Sequence, residues 1–196
     1  YYLQESKYED GDDYWYYADG NGKLYADVIK TINGKKYAFD NYGRMMDGLV
    51  FLEMKQKDNG KYESSDIEAK LADDDENHPY DTEDNFDEFT KDFDAAIEAG
   101  KIRSFYFGDG DDGAMKTGKQ TVDIDGENFT FKFEDSGSSK GAGITGEDDH
   151  KLYNAGKLVT AGRDDKYQIV EYNKVTKHSE KIDIDEFLDM TNIVTL

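Results

Sequence analysis

Hydrophobic and polar residues alternate with strand periodicity in short segments that end in glycine turns. The pattern is clearest over residues 32–49, INGKKYAFDNYGRMMDGL. Tyr37 and Phe39 alternate with smaller or polar residues, which places two aromatic rings on one face of a predicted strand. Asn33 and Gly34, just before it, are the preferred centre of a two-residue hairpin turn because both accept φ > 0. A second glycine turn and a short return strand follow. Strands this short cannot bury an aromatic face alone, so the pattern predicts stacking on copies of itself.

Copies of the pattern recur along the chain. A shift of 21 residues, from Tyr16 to Tyr37, lays residues 14–24 on the aromatic strand, the second glycine turn and the return strand of residues 32–49. Further copies lie at residues 105–118 and 124–131, and a fainter one at residues 152–158. The copy at 124–131 contains Asp125-Gly126, which predicts a second hairpin turn of the same kind as Asn33-Gly34. The turn residues Gly43 and Gly113 are expected to have φ > 0.

Residues 61–101 depart from the repeat. The acidic run at residues 73–76 predicts a loop. From about Glu83 the chain has helical periodicity, and Gly100 supplies a stop. The apolar positions of this helix are Phe86, Phe89, Phe93 and Ile97. We predict that the helix packs on the hairpins through Phe89 and Phe93, with Phe93→Ala costing about 3 kcal/mol.

The C-terminal part departs from the repeat as well. Strands are predicted at residues 166–172, 181–184 and 193–196, and these could close the stack. The expected organisation is hairpin repeats over residues 1–60, a loop plus helical insert over 61–103, and hairpin repeats with closing strands over 104–196. The predicted fold class is therefore mainly β, a solenoid-like meander of stacked β-hairpins with one inserted α-helix.

The repeats resemble the cell-wall-binding repeat family of Gram-positive surface proteins, which includes choline-binding and glucan-binding repeats. The family pattern is a turn with Asn-Gly, then Lys-Trp-Tyr-Tyr-Phe-Asp, a glycine turn, a strand containing Met, and Thr-Gly-Trp. Residues 14–24, 32–49 and 113–118 match it best. The resemblance implies a solenoid of β-hairpins that anchors proteins to wall polymers, in some members through aromatic cages between successive hairpins.

The chain departs from the family at its tryptophan positions. Trp15 occupies the first of them, whereas the others hold Lys36, Leu49, Lys119 and Glu147. A cage for a quaternary amine needs several aromatic faces around one cation. We therefore expect weak binding of free choline, with a glycan or another wall component as the ligand.

The candidate ligand-binding residues are the aromatics Trp15, Tyr16, Tyr17, Tyr37 and Tyr106. Their rings are suited to stacking on sugar rings or quaternary amines. The predicted function is that of a non-catalytic module that binds a cell-wall polymer or glycan and anchors a secreted protein to the Gram-positive cell surface. The alternative is a structural spacer or protein-interaction stalk in which every aromatic belongs to the core. Other surface proteins are a further possible class of partner.

Charge and composition narrow the classes of partner. The formal net charge is −21. It argues against nucleic acid and anionic membranes, because phosphate binding draws its affinity from Lys and Arg. Cysteine is absent, which excludes disulfides and thiol chemistry. No signal peptide is visible, and because the sequence opens on Tyr1, without an initiator Met, we interpret it as an excised piece of a longer secreted protein.

Three motifs suggest chemistry but are better interpreted as turns or surface residues. Residues 109–113 resemble the start of a calcium loop, yet Gln120 stands where an EF-hand needs a bidentate Glu. Residues 137–141 match G-x-S-x-G without the strand and helix that a nucleophile elbow requires. The three histidines are scattered and lack metal-ligand spacing. We therefore expect no catalytic residue, no metal site and no cofactor.

Overall fold

The computed structural model describes residues 2–4, 13–71, 82–108, 112–162, 165–177 and 179–191. It confirms a mainly β fold. The strands are β1 (Tyr2–Gln4), β2 (Asp13–Trp15), β3 (Val28–Ile32), β4 (Lys35–Phe39), β5 (Leu49–Gln56), β6 (Tyr62–Lys70), β7 (Ile102–Tyr106), β8 (Gly118–Ile124), β9 (Glu127–Phe133), β10 (Gly146–Asp148), β11 (Lys151–Asn154), β12 (Lys157–Leu158), β13 (Ile169–Tyr172) and β14 (Ser179–Ile182). The helices are α1 (Glu83–Asp92), α2 (Asp94–Glu98) and α3 (Ile184–Thr191).

Two five-stranded antiparallel sheets form the body of the molecule. The first has the strand order β4-β3-β6-β5-β7, and the second has the order β10-β11-β12-β9-β8. Strands β1 and β2 pair with each other, as do β13 and β14. The two large sheets are joined through their backbones, because Gly143 N, which follows β9, donates to Ser104 O in β7 at 2.9 Å.

The predicted hairpin turns are present. Asn33 and Gly34 have φ of 50° and 83°, and Asp125 and Gly126 have 55° and 76°. Positive φ at both central residues matches the right-handed twist of the flanking strands. These turns connect β3 to β4 and β8 to β9, whose residues pair in register throughout.

Successive hairpins stack through backbone hydrogen bonds. We name the hairpin units by their described residues: unit 1 (14–25), unit 2 (35–46), unit 3 (103–108 and 112–116) and unit 4 (130–144). The return strand of each later unit donates one hydrogen bond to the first strand of the preceding unit. The three bonds are Met45 N to Trp15 O at 2.8 Å, Met115 N to Lys36 O at 2.8 Å, and Gly143 N to Ser104 O at 2.9 Å. The recurrence of this bond at three successive junctions confirms the stack of hairpins predicted from the sequence.

Turn glycines make these junctions possible. Gly43 and Gly113 have φ of 81° and 54°, which confirms the positive φ predicted for both. A Cβ at Gly113 would overlap the side chain of Met45 in the preceding unit, and a Cβ at Gly141 would overlap that of Met115. The glycines therefore serve both the turn and the close approach of the next unit.

Helix α1 is anchored by Phe86 rather than by Phe93. Phe86 is fully buried, and its ring centroid lies 5.5 Å from that of Phe51 and 5.5 Å from that of Phe131. Phe89 also packs on Phe51, at 4.6 Å. Phe93, in contrast, is 42% exposed. The prediction that the helix packs on the hairpins through Phe89 and Phe93 is therefore confirmed for Phe89 and wrong for Phe93.

Several elements differ from their predicted bounds. The predicted helix is interrupted at Phe93, whose φ of −103° and ψ of 15° separate α1 from α2. The segment expected to be loop plus helix begins with strand β6. That strand is mostly polar and is held by pairing with both β5 and β3. Residues 184–191 form helix α3, where the sequence predicted only the end of a strand. The predicted strand at 193–196 lies outside the described residues.

Candidate functional site

An aromatic groove lies at the junction of units 1 and 2. Its volume is about 320 Å³. It is lined by Trp15, Tyr16, Tyr17, Tyr37, Phe39, Met45 and Asp112. The structure therefore brings together four of the five aromatic residues proposed from the sequence.

The strand alternation of unit 1 orients the aromatic residues of the groove. Tyr16 is buried at 8% exposure, whereas Trp15 and Tyr17 on either side of it are 43% and 40% exposed. Tyr17 stacks on Tyr25 with ring centroids 5.8 Å apart and planes 8° from parallel. Lys30 Nζ lies 5.0 Å from the centroid of the Tyr25 ring. The ring of Tyr17 is thus held in place by a neighbouring ring while a large part of it faces solvent.

The electrostatics of the groove are nearly neutral. Asp112 is the one carboxylate among the described residues that line it. The Lys116 ammonium donates a hydrogen bond to Asp112 Oδ2. This hydrogen bond lowers the pKa of Asp112, and the charge of Lys35 acts in the same direction. The carboxylate is therefore ionised and already paired with a protein cation.

Tyr106 lies apart from this groove. It is 6% exposed, and its ring stacks on Phe133 with centroids 6.3 Å apart. Tyr106 O accepts from Lys116 N, as Tyr17 O accepts from Tyr25 N, so the two tyrosines occupy equivalent positions in their units. The difference arises because the second sheet packs over unit 3 and covers the face that stays open in unit 1.

The groove does not recur at the next junction. Between units 2 and 3, Lys36 and Ala38 take the positions of Trp15 and Tyr17. Ala38 is fully buried, and so is the flanking Phe107. This junction is filled by core packing.

A second aromatic pair on the same end of the molecule is occupied by a protein side chain. The guanidinium of Arg44 lies 4.9 Å from the ring centroid of Tyr14 and 4.8 Å from that of Tyr42. Its Nε donates to Asp40 Oδ2 at 2.6 Å. Two aromatic faces and a carboxylate are the components of a cation site. In this structure the cation between the two rings is the guanidinium of Arg44 from the same chain.

Sequence reasoning missed a charged cluster beneath α1. Lys157 is 3% exposed. Its Nζ lies 2.7 Å from Glu83 Oε1 and 2.6 Å from Asp87 Oδ1, and Lys181 bridges the same two carboxylates at 3.3 and 3.1 Å. The ring of Phe86 lies 5.3 Å from the Lys157 ammonium. The i, i+4 spacing of Glu83 and Asp87 was visible in the sequence, but nothing there identified the lysine on a distant strand.

Burial and charge act in opposite directions on Glu83. Burial raises its pKa, while the hydrogen bond from Lys157 and the charges of Lys157 and Lys181 lower it, and the net pKa lies below 4.5. For Lys181, burial lowers the pKa and the charge of Asp87 raises it, with a net increase above 10.5. Both shifts favour the ionised pair.

Metal-ligand clusters and membrane-length apolar helices are both absent from the described part of the chain. No group of three His, Asp or Glu side chains there could hold a metal ion. Residues 109–111 of the calcium-like motif lie outside the described residues. His150 is almost fully exposed. The helices within the described ranges are all too short and too polar to cross a membrane.

No protein-family model and no curated protein matches the sequence. Among solved structures, the chain is similar to choline binding protein F from Streptococcus pneumoniae, with 18% identity and a TM-score of 0.41 over 89% of this chain and 40% of that one. It is also similar to CbpJ from Streptococcus pneumoniae TIGR4, with 16% identity and a TM-score of 0.42 over 92% of this chain and 59% of that one. The chain thus spans less than two thirds of these proteins. At these values the likeness alone assigns neither a ligand nor an activity.

Proposed function

We propose that this chain is a non-catalytic module that binds a cell-wall glycan through the aromatic groove and anchors a secreted parent protein to the Gram-positive cell surface. The observation that carries the proposal is the exposure of Trp15 and Tyr17 in a groove that Tyr37 also lines. Large aromatic faces held rigidly beside one another suit the apolar face of a pyranose ring. The sequence resemblance to cell-wall-binding repeats supports the same conclusion.

The charge arrangement favours a neutral sugar over a quaternary amine. Cation recognition would gain from an unpaired carboxylate in the groove, but Asp112 is paired with Lys116. The neighbouring aromatic pair, Tyr14 and Tyr42, already holds Arg44. The net charge of −21 attracts cations only diffusely, and salt screens that attraction. A neutral glycan requires none of these charges.

The test is co-sedimentation of the purified domain with Gram-positive cell walls at physiological salt. Trp15→Ala and Tyr17→Ala should each weaken retention by about tenfold, since the loss of one aromatic stacking face is worth about 1.4 kcal/mol. Tyr167→Ala is the matched control, because Tyr167 is 69% exposed and lies outside the groove. Full recovery of the unmodified domain in the supernatant would refute the proposal and support the spacer.

Trp15 also gives a direct comparison of ligands, because it is the one tryptophan in the sequence. Its emission should shift saturably with wall-derived glycan fragments and change little with choline. Saturable quenching by choline at about 1 mM, lost in Tyr17→Ala, which keeps the Trp15 reporter, would overturn the preference for a neutral glycan.

A further inference from the structure

A second cleft lies on another part of the molecule, between helix α1, strands β11 and β12, and strand β14. Its volume is about 440 Å³, within the range of small-molecule sites. It is lined by Asp87, Glu88, Thr90, Lys91, Asp92, Asn154, Lys157, Leu158, Val159, Ser179, Glu180 and Lys181. None of these residues lines the aromatic groove. The inserted helix provides one whole wall, which the hairpin stack alone could not supply.

Most of the charges in this cleft are paired with one another, and the exposed carboxylates of Glu88 and Asp92 remain as hydrogen-bond acceptors. Lys157 and Lys181 share the two carboxylates of α1 described above, and Lys91 forms a salt bridge with Glu180 across the cleft. An anionic ligand would have to displace these pairs and approach a protein of net charge −21. What the cleft offers instead is a set of oriented hydrogen-bonding groups. Ionised groups form stronger hydrogen bonds to hydroxyls than neutral groups do.

The floor of the cleft combines fixed polar groups with apolar surface. Ser179 Oγ donates to Asn154 Oδ1 at 2.5 Å, and Asn154 Nδ2 donates to Ser179 O at 3.1 Å. These reciprocal bonds hold both side chains in one orientation. Leu158 and Val159 are half-buried beside them. Pre-arranged polar groups next to an apolar surface match a ring that carries hydroxyls at its edge and C–H groups on its face.

We propose that this cleft is a second saccharide-binding site, selective for a neutral hydroxylated sugar and independent of the aromatic groove. Helix α1 then has a binding role as well as a structural one. The carboxylates of Glu88 and Asp92 and the paired charges provide directional contacts, while Leu158 and Val159 contact the sugar face.

The experiment is an NMR titration of the whole domain with two neutral probes, N,N′-diacetylchitobiose and isomaltotriose. At least one probe should cause saturable amide shifts that cluster at residues 87–92, 154–159 and 179–181. The double variant Glu88→Ala and Asp92→Ala should weaken this binding by about tenfold. Both residues are exposed and take part in none of the ion pairs described above, so the fold should be retained. The matched control, Asp58→Ala with Glu68→Ala, removes the same charge from exposed positions outside the cleft and should bind like the unmodified domain.

Two further variants separate the cleft from the groove. Val159→Phe narrows the cleft and should abolish its shifts, while the response of Trp15 emission to wall glycan is retained. Trp15→Ala should leave the cleft shifts intact, so failure of the proposed function and failure of this second site can be distinguished. Shifts that avoid the three cleft segments, or the absence of shifts with both probes up to about 10 mM, would overturn the proposal.

Discussion

Phe86→Ala is expected to destabilise the protein much more than Phe93→Ala, although both residues lie on the same helical stripe. Phe86 is fully buried and contacts the rings of Phe51 and Phe131. Phe93 is 42% exposed, and its ring contact is with Phe89, its neighbour on the helix, at 4.7 Å. The two substitutions remove the same atoms from very different surroundings.

The magnitudes follow from burial. Emptying a fully buried phenylalanine site costs about 3 to 5 kcal/mol, and Phe86 also loses two ring contacts with other elements, so we expect about 4 kcal/mol. The side chain of Phe93 is little more than half buried, and one side of its ring faces solvent. We therefore expect about 1.5 kcal/mol, half of the value predicted from helical spacing alone. A loss of about 4 kcal/mol is a large share of the stability of a typical domain.

The assay is urea unfolding monitored by far-UV circular dichroism and by Trp15 emission. Circular dichroism reports on the whole chain, whereas Trp15 reports on unit 1 at the other end of the stack. Coincident transitions would support two-state analysis. Equal destabilisation by the two variants, or a larger effect of Phe93→Ala, would show that α1 does not insert Phe86 between the two sheets.

Three other substitutions test the remaining features. Lys157→Met should cost about 2 kcal/mol, because it leaves partly buried carboxylates with fewer partners. Since the pKa of Glu83 is lowered on folding, the contribution of this pair is complete above its ordinary pKa and is lost as pH falls through the folded value. The difference between Lys157→Met and the unmodified protein should accordingly shrink below about pH 4.5 in thermal melts. Gly113→Ala should cost about 1 kcal/mol more than Gly34→Ala in urea unfolding, because both have φ > 0 but only Gly113 packs against the preceding unit. Arg44→Lys keeps the charge but loses the planar fork between two tyrosines, and should lower the unfolding free energy by about 1 kcal/mol; an unchanged value would show that this stack contributes nothing.

The hairpins and their turns were predictable because their causes are local. The turns at Asn33-Gly34 and Asp125-Gly126 need positive φ at both residues, and Asn-Gly and Asp-Gly are the pairs preferred for such turns. The inserted helix was also predictable from periodicity, but the relative weight of its phenylalanines was not. Spacing defines which residues share a helix face, whereas burial depends on the strands that meet that face.

Strand β6 and helix α3 show where local signals fail. Ile67 is the one fully buried side chain of β6, so the strand lacks an apolar alternation. Its conformation comes from hydrogen bonding to strands on both sides. Residues 184–191 have apolar positions at helical spacing, but in so short a segment these do not separate a helix from a strand. In β6 tertiary context outweighs sequence propensity, whereas in α3 the helical spacing is present but the segment is too short for it to decide.

The repeat pattern located the candidate groove, but only the comparison of successive units explains why it occurs once. Tyr17, Ala38 and Tyr106 hold equivalent positions, since each accepts the hydrogen bond from the return strand of its own unit. Ala38 lacks the ring needed for a second groove, and Tyr106 has the ring but is covered by the second sheet. An open aromatic site therefore requires both an aromatic residue and an uncovered junction. Among the described units only the first meets both conditions, so the packing of the second sheet, as much as the residue types, restricts this module to a single aromatic groove.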